Sequence, residues 1–185
     1  MTYQTSDNAE YARVPVDQGQ TGFFEGREFR CIRKIEVTAG TSLVWKFTSP
    51  VDFILIEQQL NTSVGDIEFY AWPESLVTET GTYGDDEYVR GKNLGSTRRL
   101  YDGAPYVSQV EIKSGGGITI SNSDLYADYD RAKTSGATAQ QVSVGGAPNS
   151  ERYLPAGTYY LEFRSLDATS LGRYSLAWEE RPEGV

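Results

Sequence analysis

The side chains able to do chemistry in this 185-residue chain are carboxylates, lysines, tyrosines and the thiol of Cys31, because the sequence has no histidine. Without imidazole there is no Ser-His-Asp or Cys-His nucleophile pair and no His-ligated zinc, copper or haem. Two acidic groups stand out. Asp124, Asp128 and Asp130 follow Asn122 within one polar stretch. They are the hard oxygen donors that calcium takes, but the spacing matches no EF-hand loop and a site needs about six to eight oxygens. A solvated acidic loop is the plainer account. Asp85, Asp86 and Glu87 run beside Tyr83 and Tyr88. Glycoside hydrolysis requires two carboxylates opposed across about 5–10 Å, and consecutive acids repel rather than share such a geometry. A solvated or salt-bridging loop is again favoured. No catalytic, cofactor-binding or metal-ligating residue is assigned, and no cofactor is expected.

Cys31 lies on the apolar parity of its segment and reads as a small buried hydrophobe rather than a reactive thiol. Arg30 and Arg33 nearby point to opposite faces of a strand, which does not make an activating environment. Gly115-Gly116-Gly117 lacks a following Lys-Ser/Thr and opens no helix, so it is a turn and not a phosphate cradle. The aromatic residues Tyr70, Trp72, Tyr83, Tyr88, Tyr101 and Tyr106 suit either a sugar-stacking platform or the anchors of a protein interface. The interface is favoured, because Tyr, Trp and Arg are enriched at such surfaces.

The elements that must position these groups are strands. Phe29, Cys31, Ile35 and Val37 share one parity, and Leu43, Trp45 and Phe47 resume it after the turn at Thr38-Ala39-Gly40-Thr41. The two segments read as a hairpin. Phe53 to Ile56 is apolar on both parities, as in a strand covered on both faces. Ile67, Phe69 and Ala71 then alternate with Glu68, Tyr70 and Trp72. Residues 74–104 lack periodicity and read as an interface loop. Residues 107–112 and 118–120 read as a second hairpin through Ser114 to Gly117. A short strand surrounds Val142 and Val144, and the clearest pair is Tyr159-Leu161-Phe163 with Tyr174-Leu176-Trp178. No stretch of ten residues carries a helical stripe, and residues 128–139 hold a short helix at most. Eight or nine short strands separated by Gly and Pro predict an all-β antiparallel sandwich of jelly-roll type.

Residues 1–22 are polar and without periodicity, and read as an extended N-terminal arm preceding a single domain over 23–185. A chain of this length buries about 70% of its unfolded surface, enough for one core without cross-links. With one cysteine there is no internal disulfide, which fits cytosolic synthesis. The first ten residues show no basic segment followed by an apolar run, and no stretch is long and apolar enough for a membrane span, so neither a secretory leader nor a membrane is expected. The net charge of −9 works against nucleic-acid binding, which relies on clustered Lys and Arg.

Gly22-Phe-Phe-Glu-Gly-Arg-Glu-Phe-Arg30 and Val44-Trp-Lys-Phe-Thr-Ser-Pro-Val-Asp-Phe-Ile-Leu-Ile56 together resemble a group of small virion proteins of tailed bacteriophages. That group combines a polar arm, an aromatic-Glu-Gly motif and strands ending in Pro-Val-x-x-Ile-Leu. The similarity covers residues 20–60, and beyond them only the β-rich character agrees. It implies a non-enzymatic virion protein made in the host cytoplasm, foremost a capsid decoration or cement protein. Its partners would be the major capsid or other virion proteins and further copies of itself, a trimer first among oligomers. The expected contacts are Tyr3, Tyr11, Val14, Val16, Phe23 and Phe24 on the arm, with Tyr83, Tyr88, Arg98, Arg99 and Tyr101 on the loops. The alternatives are a carbohydrate-binding module that uses loop Tyr and Trp residues, Trp72 among them, for host glycans, or a tail-associated structural protein.

Overall fold

Alternating apolar residues make the strands, and the order in which those strands pair makes the fold. The computed structural model describes residues 21–86, 89–91, 106–135, 138–139, 141–144, 152–165 and 169–182. A one-turn helix α1 (Thr21–Glu25) precedes four strands, β1 (Glu28–Val37), β2 (Ser42–Ser49), β3 (Asp52–Val64) and β4 (Ile67–Pro73). A 3-10 turn then leads to β5 (Val77–Thr80), β6 (Asp85–Asp86), β7 (Arg90–Gly91), β8 (Glu111–Ser114) and β9 (Gly117–Ile120). Next come β10 (Asp128–Ala132), β11 (Thr134–Ser135), β12 (Thr138–Ala139), β13 (Gln141–Val144) and β14 (Arg152–Leu154). The last two strands are β15 (Gly157–Ser165) and β16 (Ser170–Arg181).

One sheet runs β13-β3-β16-β1-β7, with β14 also paired to β3, and the other runs β10-β4-β15-β2-β8-β6. All these pairings are antiparallel. The first four strands alternate between the sheets. β15 returns between β2 and β4, and β16 between β1 and β3. With β10 completing one sheet and β13 and β14 the other, this nested wrapping is the jelly roll that the strand count predicted.

Several local expectations change. β1 and β2 are not a hairpin: β1 pairs with β16 from Glu28↔Glu179 to Val37↔Ser170, and β2 pairs with β15 from Ser42↔Arg164 to Ser49↔Gly157. A tight turn, with the Thr41 N–H donating to the Thr38 carbonyl at 3.1 Å, carries the chain from one sheet to the other. Each strand finds a long partner in its own sheet, and both point their apolar parity into one core. The second expected hairpin also divides. β8 extends the second sheet beside β2, while β9 pairs with β5 as a separate two-stranded ribbon. Where a short helix was the most expected, residues 128–132, 134–135 and 138–139 are strand.

β3 buries Phe53 and Leu55 and leaves Ile54 and Ile56 half-buried, so it is covered on one face rather than two. A bulge then reverses its parity. Leu55 lies opposite Trp178 and Glu57 opposite Ala177, which leaves Ile56 as the extra residue and turns Gln58, Leu60 and Thr62 inward.

Two aromatic groups fill the space between the sheets. Tyr174 meets Phe163 at 4.9 Å, Phe69 at 5.3 Å and Trp45 at 5.5 Å between ring centroids. Phe47 meets Phe53 at 5.0 Å and Trp178 at 5.4 Å. Cys31 is fully buried among them, as its parity predicted.

The aromatic-Glu-Gly segment forms the end plug. Gly26, at φ 77°, closes α1 in the left-handed conformation that L side chains avoid. Arg27, almost wholly buried, pairs with Glu25 at 2.6 Å and Glu179 at 2.8 Å, and donates to the Glu180 carbonyl at 2.8 Å. The fully buried Glu180 carboxylate accepts from Tyr106 Oη, Ser108 Oγ, the Gln109 N–H and Trp178 Nε1. A buried charge is tolerated when its lone pairs are used in this way. Residues 21 and 22, the end of the expected arm, belong to α1; the rest of the arm lies outside the described residues.

Phe163 has no exposed surface and touches three other rings. Phe163→Ala is expected to destabilise the protein by about 3–5 kcal/mol, read as a lower urea midpoint at unchanged slope.

Candidate functional site

The outer face of the second sheet carries two aromatic zones, one covered and one open. Residues of even number on β2, β4 and β15 point outward there, and the register sets Tyr160 between Trp72 and Lys46, and Glu162 between Tyr70 and Val44. The β5/β9 ribbon lies over the middle of this face. Its Val77, Ile118 and Ile120, together with Tyr83, pack on Val44, Trp72 and Tyr160. Trp72 is 0% exposed, and its Nε1 donates to Glu162 at 2.9 Å. This overturns Trp72 as a glycan platform: outward parity placed it on the outer face, and a second layer then buried it.

Beyond the ribbon the face is open. β10 sets Tyr129 directly opposite Tyr70, with ring centroids 4.9 Å apart. Tyr126, from the preceding turn, meets Tyr129 at 5.8 Å and Tyr70 at 5.9 Å. Tyr126 is 46% exposed and Tyr129 40%, and Leu125 beside them is exposed as well. The Arg164 guanidinium lies 4.6 Å from the centre of the Tyr70 ring. The Glu68 carboxylate accepts from both Tyr70 Oη and Tyr129 Oη at 3.3 Å. Burial, then the Glu68 charge, raises both phenols above their ordinary range, so they stay protonated donors at neutral pH. The result is a cluster of rings rimmed by a cation and an anion, suited to holding a flat or ring-shaped partner surface.

A cleft of about 440 Å³ separates the ribbon from the β2/β8 edge and is lined by Lys46, Glu79, Tyr83, Glu111 and Lys113. Lys46 pairs with Glu79 at 2.5 Å, and Lys113 with Glu111 at 3.2 Å. Hydrogen bonds from Lys46 and Tyr160 hold the Glu79 carboxyl below its usual range, the wrong direction for a proton donor to a glycosidic oxygen. Elsewhere, Arg30 and Arg33 take opposite parity on β1, and both line one concavity with Ile32 and Arg90.

The expected contact residues fall differently. Tyr83 is half-buried under the ribbon. Its hydroxyl donates to the Gly117 carbonyl at 2.9 Å, and burial pushes its phenol up to about 12. A Cβ at Gly116 would stand 2.3 Å from the Tyr83 ring, which accounts for one glycine of the Gly115–Gly117 run. Phe23 is half-buried in α1, and the Phe24 backbone belongs to the same helix. Tyr3, Tyr11, Val14, Val16, Tyr88, Arg98, Arg99 and Tyr101 lie outside the described residues, as does Glu87.

The acidic stretch does not converge on an ion. Asp128 accepts from Gln58 and Arg152, Asp130 from the Arg131 N–H, and Asp124 stays in the preceding turn with its N–H on Asn122. Among the described residues, no three acidic or thiol side chains are arranged to hold a metal ion. Sequence reasoning missed Tyr126, Tyr129, Glu68 and Arg164 as one surface, because only the β10–β4 and β4–β15 pairings assemble them.

No helix among the described residues is long and apolar enough to cross a membrane. No protein-family model matches the chain, and no curated protein is similar to it.

The Glu79 pairing carries a pH dependence. Because its folded pKa lies below the ordinary 4.5, the stabilisation it supplies is present above about pH 4.5 and is lost as the pH falls below that value. The stability gap between the native chain and Glu79→Gln is therefore expected to close on acidification. Urea midpoints measured from about pH 6 to pH 3 test this, and a constant gap contradicts it.

Proposed function

We propose that this chain is a non-enzymatic docking protein of a bacteriophage particle, in first place a capsid decoration protein, whose Tyr70–Tyr126–Tyr129 surface seats on a neighbouring virion protein. The observation that carries the reading is this open aromatic cluster, where neighbouring exposed rings are flanked by Arg164 and Glu68, on an acidic protein. Tyrosines that expose wide, stiff rings with a polar tip are the residues that dominate interface energetics. The resemblance of residues 20–60 to tailed-phage virion proteins supports the same reading. Its Phe-Phe-Glu-Gly-Arg motif makes the α1 plug, and Trp45, Phe47, Phe53 and Leu55 from its strands enter the core. The docking surface itself rests on the tyrosines. Residues 1–20 supply a second contact, with a neighbouring copy or with the shell.

A second reading rests on the same cluster. Rings flanked by a carboxylate and a guanidinium also match the way aromatic faces stack on sugars while charged groups bond hydroxyls, so host-glycan binding is its alternative use, with Tyr126 and Tyr129 in place of the buried Trp72.

Purified chain added to particles that lack it separates the two. Tyr126→Ser/Tyr129→Ser is expected to lower particle binding by more than about tenfold while the melting temperature stays within a few degrees of the native value. Undiminished incorporation of this variant overturns the docking surface. Saturable binding on a glycan array, lost in the same variant, assigns the surface to sugars instead. Deletion of residues 1–20 is expected to leave the fold intact and to reduce incorporation.

A further inference from the structure

The outer face of the first sheet is basic, on a protein whose net charge is −9. Even-numbered residues of β1 and odd-numbered residues of β16 point to that face. Their register sets Ile32 beside Ser175, Lys34 beside Arg173 and Glu36 beside Leu171. On its other side β1 places Arg30 directly opposite Arg90. Arg30, Ile32, Arg33 and Arg90 line a concavity of about 240 Å³, where Arg33 and Arg90 have further contacts as well. Lys34 and Arg173 are exposed.

Like charges directly opposite one another on a sheet face are destabilising, and the register creates two such pairs here. The rest of the described chain does the reverse: every other lysine and arginine, Lys133 apart, pairs with a carboxylate. Among the described residues no carboxylate pairs with Arg30, Lys34 or Arg173. The acids of the same face, Glu36 and Glu57, form no ion pair either. In a chain with acids in surplus, one Lys→Glu change would neutralise the Lys34–Arg173 pair from within. Keeping it lowers the stability of the isolated chain, and the compensating interaction lies with a partner that brings negative charge.

Apolar side chains are set among these cations. Ile32 is 44% exposed, Leu171 38%, and Val64, opposite Leu171 on β3, 48%. A nucleic-acid backbone leaves such side chains uncovered, and the negative charge of the remaining surface repels a long polyanion. A protein surface on which carboxylates surround an apolar centre meets both features and engages this face alone. We propose that the outer face of the first sheet docks on such an acidic protein surface, with Arg30, Ile32, Lys34 and Arg173 as its contacts. Tyr126 and Tyr129 belong to the other sheet, so a partner here binds independently of the tyrosine surface.

The full chain is titrated with three probes: a peptide of alternating glutamate and leucine, its serine–leucine counterpart, and a single-stranded DNA with the charge of the first. Amide chemical shifts around Ile32, Lys34 and Arg173 are expected to saturate with the glutamate peptide, whose affinity falls by about tenfold between roughly 50 and 300 mM salt. Both controls are expected to bind more weakly. Lys34→Glu sets an opposite charge beside Arg173, and is expected to raise the urea midpoint while weakening the glutamate peptide. A lysine with a purely structural role would not show that gain and that loss together. Arg30→Glu/Lys34→Glu is expected to stay folded and to bind the peptide more than about tenfold more weakly, whereas Tyr126→Ser/Tyr129→Ser binds it as the native chain does. The proposal is overturned if the glutamate peptide does not saturate, if the double reversal binds it undiminished, or if either control binds as tightly. It is also overturned if the chain alone associates through this face, seen in sedimentation as a lower mass for the double reversal than for the native chain.

Discussion

Tyr174 reaches from the last strand into the inner face of the opposite sheet, where its ring is held by Trp45 of β2, Phe69 of β4 and Phe163 of β15. Those three are neighbouring strands of one sheet, and Tyr174 itself is bracketed by β1 and β3 in the other. One side chain therefore keys its own strand to five others. Because strand side chains alternate with a period of two, a slip of β16 by one residue would carry Tyr174, Leu176 and Trp178 to the outer face at once. The register of both sheets, and every surface built on them, depends on this contact.

A fixed register dictates the outer face of the second sheet. Trp72, Tyr160 and Val44 form a patch that cannot be left in water, and the β5/β9 ribbon covers it. The ribbon is tied down by polar links, Lys46 and Tyr160 to Glu79 and Tyr83 to Gly117, rather than by membership of the sheet. It leaves Tyr126 and Tyr129 exposed, while Tyr70, half-buried, stacks on the covered Trp72 at 5.3 Å. Their exposure thus has a definite boundary: the same outward parity is buried under the ribbon and open beyond it. Arg164 spans the two zones, bonding Glu162 beneath the ribbon's rim at 2.8 Å and lying against the Tyr70 ring outside it.

The face that each residue takes was legible in the sequence to the extent that alternation is local. Phe29, Cys31, Ile35 and Val37 point inward as read, as do Phe69, Leu161, Phe163 and Trp178. The partner of each strand was not legible. Periodicity states which way a side chain points relative to its own backbone, and says nothing about whether the next strand pairs alongside or faces it across the core, so β1 and β2 read as a hairpin. Burial by a second layer was equally hidden, because Trp72 and Tyr160 carry the pattern of surface residues. The bulge was hidden for a third reason. Ile54, Leu55 and Ile56 are all apolar, and such a run masks the position at which parity reverses and Gln58 turns inward.

β10 joins the open aromatic surface to the interior edge of the sandwich. Along its five residues the parity alternates as in any strand, which places Asp128 and Asp130 toward the interior edge of the sandwich and Tyr129 between them on the outer face. Burial, with the Asp128 charge alongside, raises the Asp130 carboxyl against the opposing hydrogen bond from the Arg131 N–H. The strand lies at the end of its sheet, paired on β4 alone. Its seating against the opposite sheet relies on Asp128, which Gln58 and Arg152 hold from β3 and β14. The Asp128 side chain also accepts from the Tyr129 N–H at 3.0 Å, so the carboxylate that links β10 to the opposite sheet also orients the backbone of the tyrosine on the outer surface. β10 is thus held by strand pairing on one side, by Ala132 in the core and by the polar latch at Asp128, and the outer tyrosine surface is built on it.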